Sequence, residues 1–327
     1  MQIDKDYFGK LFETVFSRKS FLGTLAVGLV FAASSGRYGA KKLFAAGKRL
    51  EPRKARAVKA DCDIAAVKGS NPAAITRKAV DTLGGMKKFV KPGDTVVVKP
   101  NIGWDRSPEL AGCTNPEVVS ELVKMCFESG AKTVKVFDNT CNEARMCYAN
   151  SGIQAAAKKA GATVIFASDW KYYPANMPAG SEMADWPVYE DAVKCDCFIN
   201  VPIAKHHGLT KLTLSLKNLM GVCGGRRGVM HQNIDVKLAE VAGFIKPDLT
   251  VIDANRILLR HGPKGGNIED VKLMNTVIAG TDPVLCDAYT TRLFGLEPGD
   301  ITHIARAAQM GIGRMSFGGA NIQEINV

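Results

Sequence analysis

The feature that most restricts what this chain can fold into is a rhythm. From residue 62 onward, short runs of apolar and β-branched residues alternate with longer segments whose apolar positions recur at helical spacing. CDIAAVKG (62–69) reads as a strand and PAAITRKAVDTL (72–83) as a helix opened by proline. TVVVK (95–99) is a short buried strand after the turn KPGD. TNPEVVSELVKMCFESG (114–130) carries helix signals at both ends: Thr114 or Asn115 to cap, Pro116 in the first turn and Gly130 beyond the last. TVKVFD (133–138) returns as a strand, and SGIQAAAKKAG with TVIFA (163–167) repeats helix, glycine, strand. CFINVP (197–202), the helix IDVKLAEVAGFI (234–245), LTVIDA (249–254), TVIAG (276–280) and two closing helices continue the series. Strands joined by helices pair in parallel and are covered on both faces. The pattern therefore predicts an α/β fold of mostly parallel sheets flanked by helices.

Length adds a division. A chain of 327 residues is large for one domain, and WKYYPANMPAGSEMADWP (170–187), rich in aromatics and proline, reads as a linker or lid. The expectation is a leading segment over residues 1–50, an N-terminal α/β lobe over 51–190 and a C-terminal lobe over 191–327, with a cleft between the lobes.

Charge is unevenly placed. The net charge of +11 is concentrated in residues 1–60, which hold 13 Lys/Arg against 4 Asp/Glu. The other 267 residues hold 30 against 28, a net of +2, so the body of the protein has no nucleic-acid footprint. Residues 21–35, FLGTLAVGLVFAASS, carry no charge and lie between SRKSFLG and GRYGAKK. That run suits an export-signal core better than the roughly 20 residues of a spanning helix. SRKSFL resembles the twin-arginine signal, with Lys19 at the second arginine position. The leading segment is expected to engage export machinery, placing the protein in the periplasm or cell envelope; anchoring in the membrane by residues 20–36, ordinary Sec export and a buried helix are the alternatives.

In open α/β sheets ligands sit beyond the carboxyl ends of the strands. TVVVK is followed by Pro100-Asn101-Ile102-Gly103-Trp104, TVKVFD ends on Asp138 before Asn139-Thr140-Cys141, and LTVIDA leads to the loop HGPKGGN (261–267). The strongest signal follows FINVP. Between Asp196 and Asp235 there is no carboxylate, yet Lys205, His206, His207, Lys211, Lys217, Arg226, Arg227 and His231 all fall there. Four glycines in GVCGGRRG (221–228) permit close backbone approach, and two arginines supply forked donors suited to carboxylate or phosphate. Candidate catalytic groups are therefore His206, His207 and Lys217. Candidates for holding an anion or cofactor are Lys99, Asn101, Lys205, Asn218, Gly221, Gly224, Gly225, Arg226, Arg227, His231, Asp253, Gly262, Lys264 and Gly266. TKLTLSLKNLMGV fits a helix through Leu212, Leu216 and Leu219, and a strand through LTLSL. Asp282 before Pro283 reads as a helix N-cap, and Asp287 as structural.

The nine cysteines include no CxxC pair, so neither a ferredoxin-type motif nor a zinc ribbon is present. His206, His207, Cys223, Cys141 and Cys147 are the candidate ligands of a metal or cluster site, and Cys113 lies in a loop of the same kind. An iron–sulfur cluster and a nickel or other metal cofactor are the candidates; the cofactor itself is unknown.

KPNIG, TNPEVVSELV…GAKTVKVFD, FINVPIAKHHGLTKLTLSLKNLMG, VIDA…HGPKGGN and AGTDPVLCDAY…G occur in that order between about residues 62 and 313. In these motifs the chain resembles the domain-of-unknown-function family 362. The resemblance implies an α/β fold and no settled reaction. Some members are labelled iron–sulfur proteins and carry ferredoxin-like motifs that this chain lacks. Many carry export signals, in keeping with SRKSFLG. A partial resemblance is also present: the strand–Pro–x–x–Lys/His–His phrase and the GGRR segment are similar to a region of the nickel-dependent lactate racemase family. That likeness implies His206 or His207, and Arg226 or Arg227, near a metal-containing pyridinium cofactor, with altered spacing and arginine where the family has lysine. Taken together, the sequence predicts an exported α/β protein that binds an anionic small molecule or a metal-containing cofactor. As an enzyme it would be of redox or isomerase type. An iron–sulfur electron-transfer protein and a noncatalytic envelope binding protein are the alternatives.

Overall fold

The computed structural model describes residues 47–327, and the expected export signal or anchor lies outside the described residues. Residues 49–327 form one compact unit. Its first half contains β1 (Ile64–Lys68), α1 (Pro72–Thr82), β2 (Thr95–Pro100), α2 (Pro116–Glu128), β3 (Thr133–Asp138), α3 (Ala144–Asn150), α4 (Ile153–Lys159) and β4 (Thr163–Phe166). The chain continues through β5 (Tyr172–Pro174), β6 (Pro187–Tyr189), α5 (Glu190–Lys194), β7 (Cys197–Val201), β8 (Ile203–His207), β9 (Lys211–Thr213) and α6 (Ser215–Asn218). It closes with α7 (Ile234–Ile245), β10 (Leu249–Leu258), β11 (Val271–Gly280), α8 (Pro283–Thr290), α9 (Thr302–Gln309) and β12 (Ile322–Asn326).

A ten-stranded sheet runs β12-β1-β11-β10-β7-β2-β3-β4, with β8 added on β10 and β9 on β8. Neighbours are parallel except at β1/β11, β10/β11 and β8/β9, so the sheet is mixed and mostly parallel. Alternate residues of each strand enter different cores. Ala65, Val67, Val96, Val98 and Val251 pack with α1 and α2, whereas Ile64, Ala66, Val97, Phe198 and Ile252 pack with α7, α8 and α9. Period-two side chains in a sheet covered on both faces give continuous apolar runs such as VVV in β2. Each fully buried valine there contributes about 1.5–3 kcal/mol of transfer free energy.

The helix starts follow the signals in the sequence. Asn71, Asn115 and Asp282 each precede a proline and accept a hydrogen bond from an amide of the first turn. The two expected lobes, 51–190 and 191–327, share the one sheet: β2 from the first segment pairs with β7 from the second. The stretch read as a linker or lid carries a short two-stranded ribbon. β5 pairs antiparallel with β6, and Ala175 and Met183 are buried, while Trp170 stands 70% exposed. Residues just after the leading segment are also fastened down: Arg53 forms a fully buried ion pair with Asp248 and donates to Lys246 O at 2.7 Å. Among the described residues no helix is long and apolar enough to cross a membrane.

One departure from regularity creates the site. β7 runs through Pro202 into β8, and beyond Pro202 the chain pairs with β10 and β9. β2 ends at Pro100, opposite Val201. The loops after β2 and β3 therefore face the extended β8–β9 hairpin across an opening at the carboxyl ends of the strands, the place where such sheets bind ligands.

Candidate functional site

The floor of the opening is a buried ion pair. Lys99 at the tip of β2 has no exposed surface, and its Nζ lies 2.8 Å from Oδ1 of Asp138 at the tip of β3. Asp138 is further held by the Ile102 N–H at 2.7 Å and the Asn139 N–H at 2.9 Å. Burial pushes the Lys99 pKa down against the opposing pull of Asp138. Gly221 lies directly over the pair: a Cβ there would sit 1.8 Å from Asp138 Oδ1 and 2.6 Å from Lys99 Nζ. Only glycine fits this position, because any side chain would displace the carboxylate.

An amide network surrounds the pair. Asn218 Oδ1 accepts from Lys99 Nζ and Asn101 Nδ2, each at 3.1 Å, and its Nδ2 donates to Asn200 Oδ1 at 2.9 Å. Asn101 Oδ1 in turn accepts from Lys205 Nζ at 3.0 Å. Asn218 and Lys217 stand on the single turn α6, too short to be stable alone. Asp287, on α8, holds that turn by accepting from Ser215 N–H at 2.7 Å and Leu216 N–H at 2.9 Å. Burial raises the Asp287 pKa to about 7, with the two amides opposing the shift.

Above this floor is a cavity of about 600 Å³. Lys205, Lys217, Arg227, His207 and His231 face it, as do Trp104, Met220, Leu209 and Pro263. Lys205 and Lys217 are 1% and 8% exposed, and desolvation lowers the pKa of each to about 8. Lys205 donates to Gly112 O at 2.6 Å, and Lys217 contacts the Met220 sulfur. Arg227 donates to Asn139 O at 2.7 Å and Thr140 O at 2.5 Å. Among the described residues none of the three has a carboxylate in salt-bridge range.

His207 is neutral. Burial, reinforced by the charges of Lys217, His231 and Lys205, lowers its pKa to about 3. Its Nδ1 accepts from the Leu209 and Thr210 amides at 3.1 and 3.3 Å, which assigns the ring proton to Nε2. The His231 ring stacks on it with centroids 5.9 Å apart. Thr213, also at the wall, is buried with its hydroxyl unpartnered.

Several expected site residues converge here: Asn101, Lys205, His207, Lys217, Asn218, Gly221, Gly225, Arg227, His231 and Gly262 line the cavity, and Lys99 lies beneath it. Others do not. His206 has a clasping role, accepting from Gly262 N–H at 3.0 Å, and a Cβ on Gly262 would meet His206 O at 1.8 Å. Arg226, Lys264 and Gly266 are exposed and outside the wall. Gly224 packs against Tyr172 and donates to Pro187 O at 2.8 Å. Asp253 sits within a ten-residue strand rather than at a tip, where it accepts from Asn115 and Asn255 amides at 2.7 and 3.0 Å.

The cysteine set is not assembled either. Cys141 is exposed at the cavity, whereas Cys147 and Cys223 are fully buried, with burial raising their pKa values to about 11 and about 12. Among the described residues no three His, Cys, Asp or Glu side chains are grouped so that they could hold a metal ion. Asp138 was legible as a strand tip, but its role as partner of Lys99 needed the register of β2 against β3. Trp104 was legible as part of the segment after β2 and Thr213 as part of a polar stripe with Lys217, whereas Met220 and Asn200 carried no signal beyond their neighbours.

The thylakoid-associated protein sll1697 of Synechocystis sp. is 27% identical over 244 residues, covering 72% of this chain and 74% of that protein. The lactate racemase apoprotein from Thermoanaerobacterium thermosaccharolyticum aligns over 72% of this chain, with 10% identity and a TM-score of 0.44. This chain spans 60% of that structure's length. A family model described as "Domain of unknown function (DUF362)" matches residues 96–292, from β2 through α8. That span contains every wall residue of the cavity together with Lys99 and Asp287, and on this match the chain belongs to the DUF362 family.

Proposed function

We propose that the protein binds a small organic anion in the cavity above the Lys99–Asp138 pair and that the site performs proton transfer of isomerase type. The observation that carries this reading is that Lys205, Lys217 and Arg227 line one cavity and, among the described residues, none of them has a carboxylate within salt-bridge distance. Buried charges without partners are costly, and a ligand of opposite sign removes that cost.

The chemistry follows from the protonation states. In the ligand-free site the Lys217 pKa is lowered to about 8, so that a fraction of it is free amine near neutral pH and can take up a proton, as an acid–base group does. Neutral His207 offers an Nε2–H donor to an oxygen on which negative charge develops, with no proton transfer of its own. Arg227, fixed by two backbone carbonyls, is pre-positioned to orient the anion.

A thermal-shift screen of small carboxylates and phosphate esters tests the reading, with hits followed by NMR in deuterated water. The expected result is a stabilising anion that gains carbon-bound deuterium with the wild-type protein and loses that exchange with Lys217→Met. A screen without any stabilising anion would sink the binding claim. Binding without exchange would sink the isomerase claim alone.

A further inference from the structure

The charge of the cavity wall narrows the ligand. Asp138 is the carboxylate at the wall, and both its oxygens are occupied: Oδ1 by Lys99 Nζ and Asn139 N–H, Oδ2 by Ile102 N–H. Lys99 and Asp138 cancel one another. The acceptors of Lys205 are a side-chain amide oxygen and a carbonyl, that of Lys217 a thioether, and those of Arg227 two carbonyls. None carries charge. The other titratable groups at the wall are His207, His231 and the Cys141 thiol. Three positive charges therefore stand without a carboxylate in salt-bridge range among the described residues, two of them on lysines almost without solvent contact, and Asp138 attracts Lys205 only from beyond that range.

A single negative charge would leave two of these three cations uncompensated, at least one of them a buried lysine. Resting on the anion-binding reading above, we infer that the ligand of this cavity carries at least two negative charges, as a phosphate monoester or a dicarboxylate does, and that Lys205, Lys217 and Arg227 share it. A ligand with several charged oxygens can also accept hydrogen bonds from neutral donors. The unpartnered Thr213 hydroxyl and the Nε2–H of His207 are such donors on the same wall, and neither adds charge. Without ligand, burial holds the two lysines near a pKa of about 8. A bound dianion raises both, so that in mildly alkaline solution binding takes up protons.

Calorimetry on the full chain at about pH 7.5 and constant ionic strength tests this with inorganic phosphate, malonate and acetate. The expected result is that phosphate or malonate binds at least about tenfold more tightly than acetate, roughly 1.4 kcal/mol. Lys205→Met and Lys217→Met, checked for native fold by circular dichroism, should each reduce that ratio several-fold. Titrations at about pH 8.5 in two buffers of different ionisation enthalpy should show net proton uptake with the dianion. Acetate binding as tightly as both dianions overturns the inference and leaves the anion-binding reading standing. No binding by any of the three counts against that reading itself. A dianion preference unchanged in both lysine variants, or proton release on binding, overturns the assignment to these residues.

Discussion

Gly221 shows how a single position can control the site. Its Cα hydrogen faces the Lys99–Asp138 pair so closely that even one methyl group would overlap the carboxylate. Gly221→Ala therefore has to separate a buried ion pair or move the backbone that follows α6. Breaking such a pair costs about 3–5 kcal/mol. A loss of that order is expected in urea denaturation, accompanied by loss of anion binding; a variant as stable as wild type would show that the pair is not rigidly seated. The glycine-rich signal in GVCGGRRG was visible in the sequence, but its meaning was divided. Gly221 makes room for an ion pair, Gly224 makes room for Tyr172, and the two arginines part company, Arg227 at the wall and Arg226 in solvent. Adjacent side chains outside regular structure diverge, and spacing alone does not say which one turns inward. The same holds for His206 and His207, neighbours in a strand whose side chains point to opposite faces.

At the scale of elements, the stretch TKLTLSLKNLMGV was readable as helix or strand because it is both in succession. Lys211–Thr213 forms β9, Ser215–Asn218 forms α6, and the change of period falls at Leu214. This arrangement puts Thr213 and Lys217 on one wall from two different elements. Neither element is long enough to stand alone; pairing with β8 holds the first and the Asp287 carboxylate holds the second. The loop after β10 is fixed comparably, with Gly262 N–H donating to His206 Nδ1 and Gly208 N–H donating to Gly262 O at 3.2 Å. His206→Ala removes one of these bonds, worth about 1 kcal/mol. Amide exchange at Gly262 should speed up about fivefold, with global stability little changed. Unaltered exchange at Gly262 would mean that the clasp does not hold the loop.

For the whole molecule, the uncompensated cations predict how stability depends on pH. A Lys217 pKa of about 8 in the fold lies below its ordinary value of 10.5, so the folded state binds fewer protons than the unfolded state between those values. The charged lysine is therefore a full burden below about pH 8, and the burden disappears as pH rises through 10.5. Ligand-free Lys217→Met should accordingly be more stable than wild type at pH 7, by roughly 1–3 kcal/mol, since each pKa unit is about 1.4 kcal/mol. That advantage should shrink toward pH 10, as urea denaturation at the two pH values would show. A variant less stable than wild type at neutral pH would mean that the ammonium is compensated in the fold. The sequence by itself determined the alternation of strand and helix, the helix starts marked by Pro72, Pro116 and Pro283, and the crowding of cations between Asp196 and Asp235. Those are local properties, set by periodicity, capping chemistry and composition within a few residues. Only the tertiary structure decided that β2 and β7 lie side by side, joining the two expected lobes in one sheet. It also decided that Asp138 would neutralise Lys99 while Lys205, Lys217 and Arg227 would be left for a ligand. Charge balance in a cavity depends on which strand tips the sheet order brings together, and that order is set by pairing between segments about a hundred residues apart.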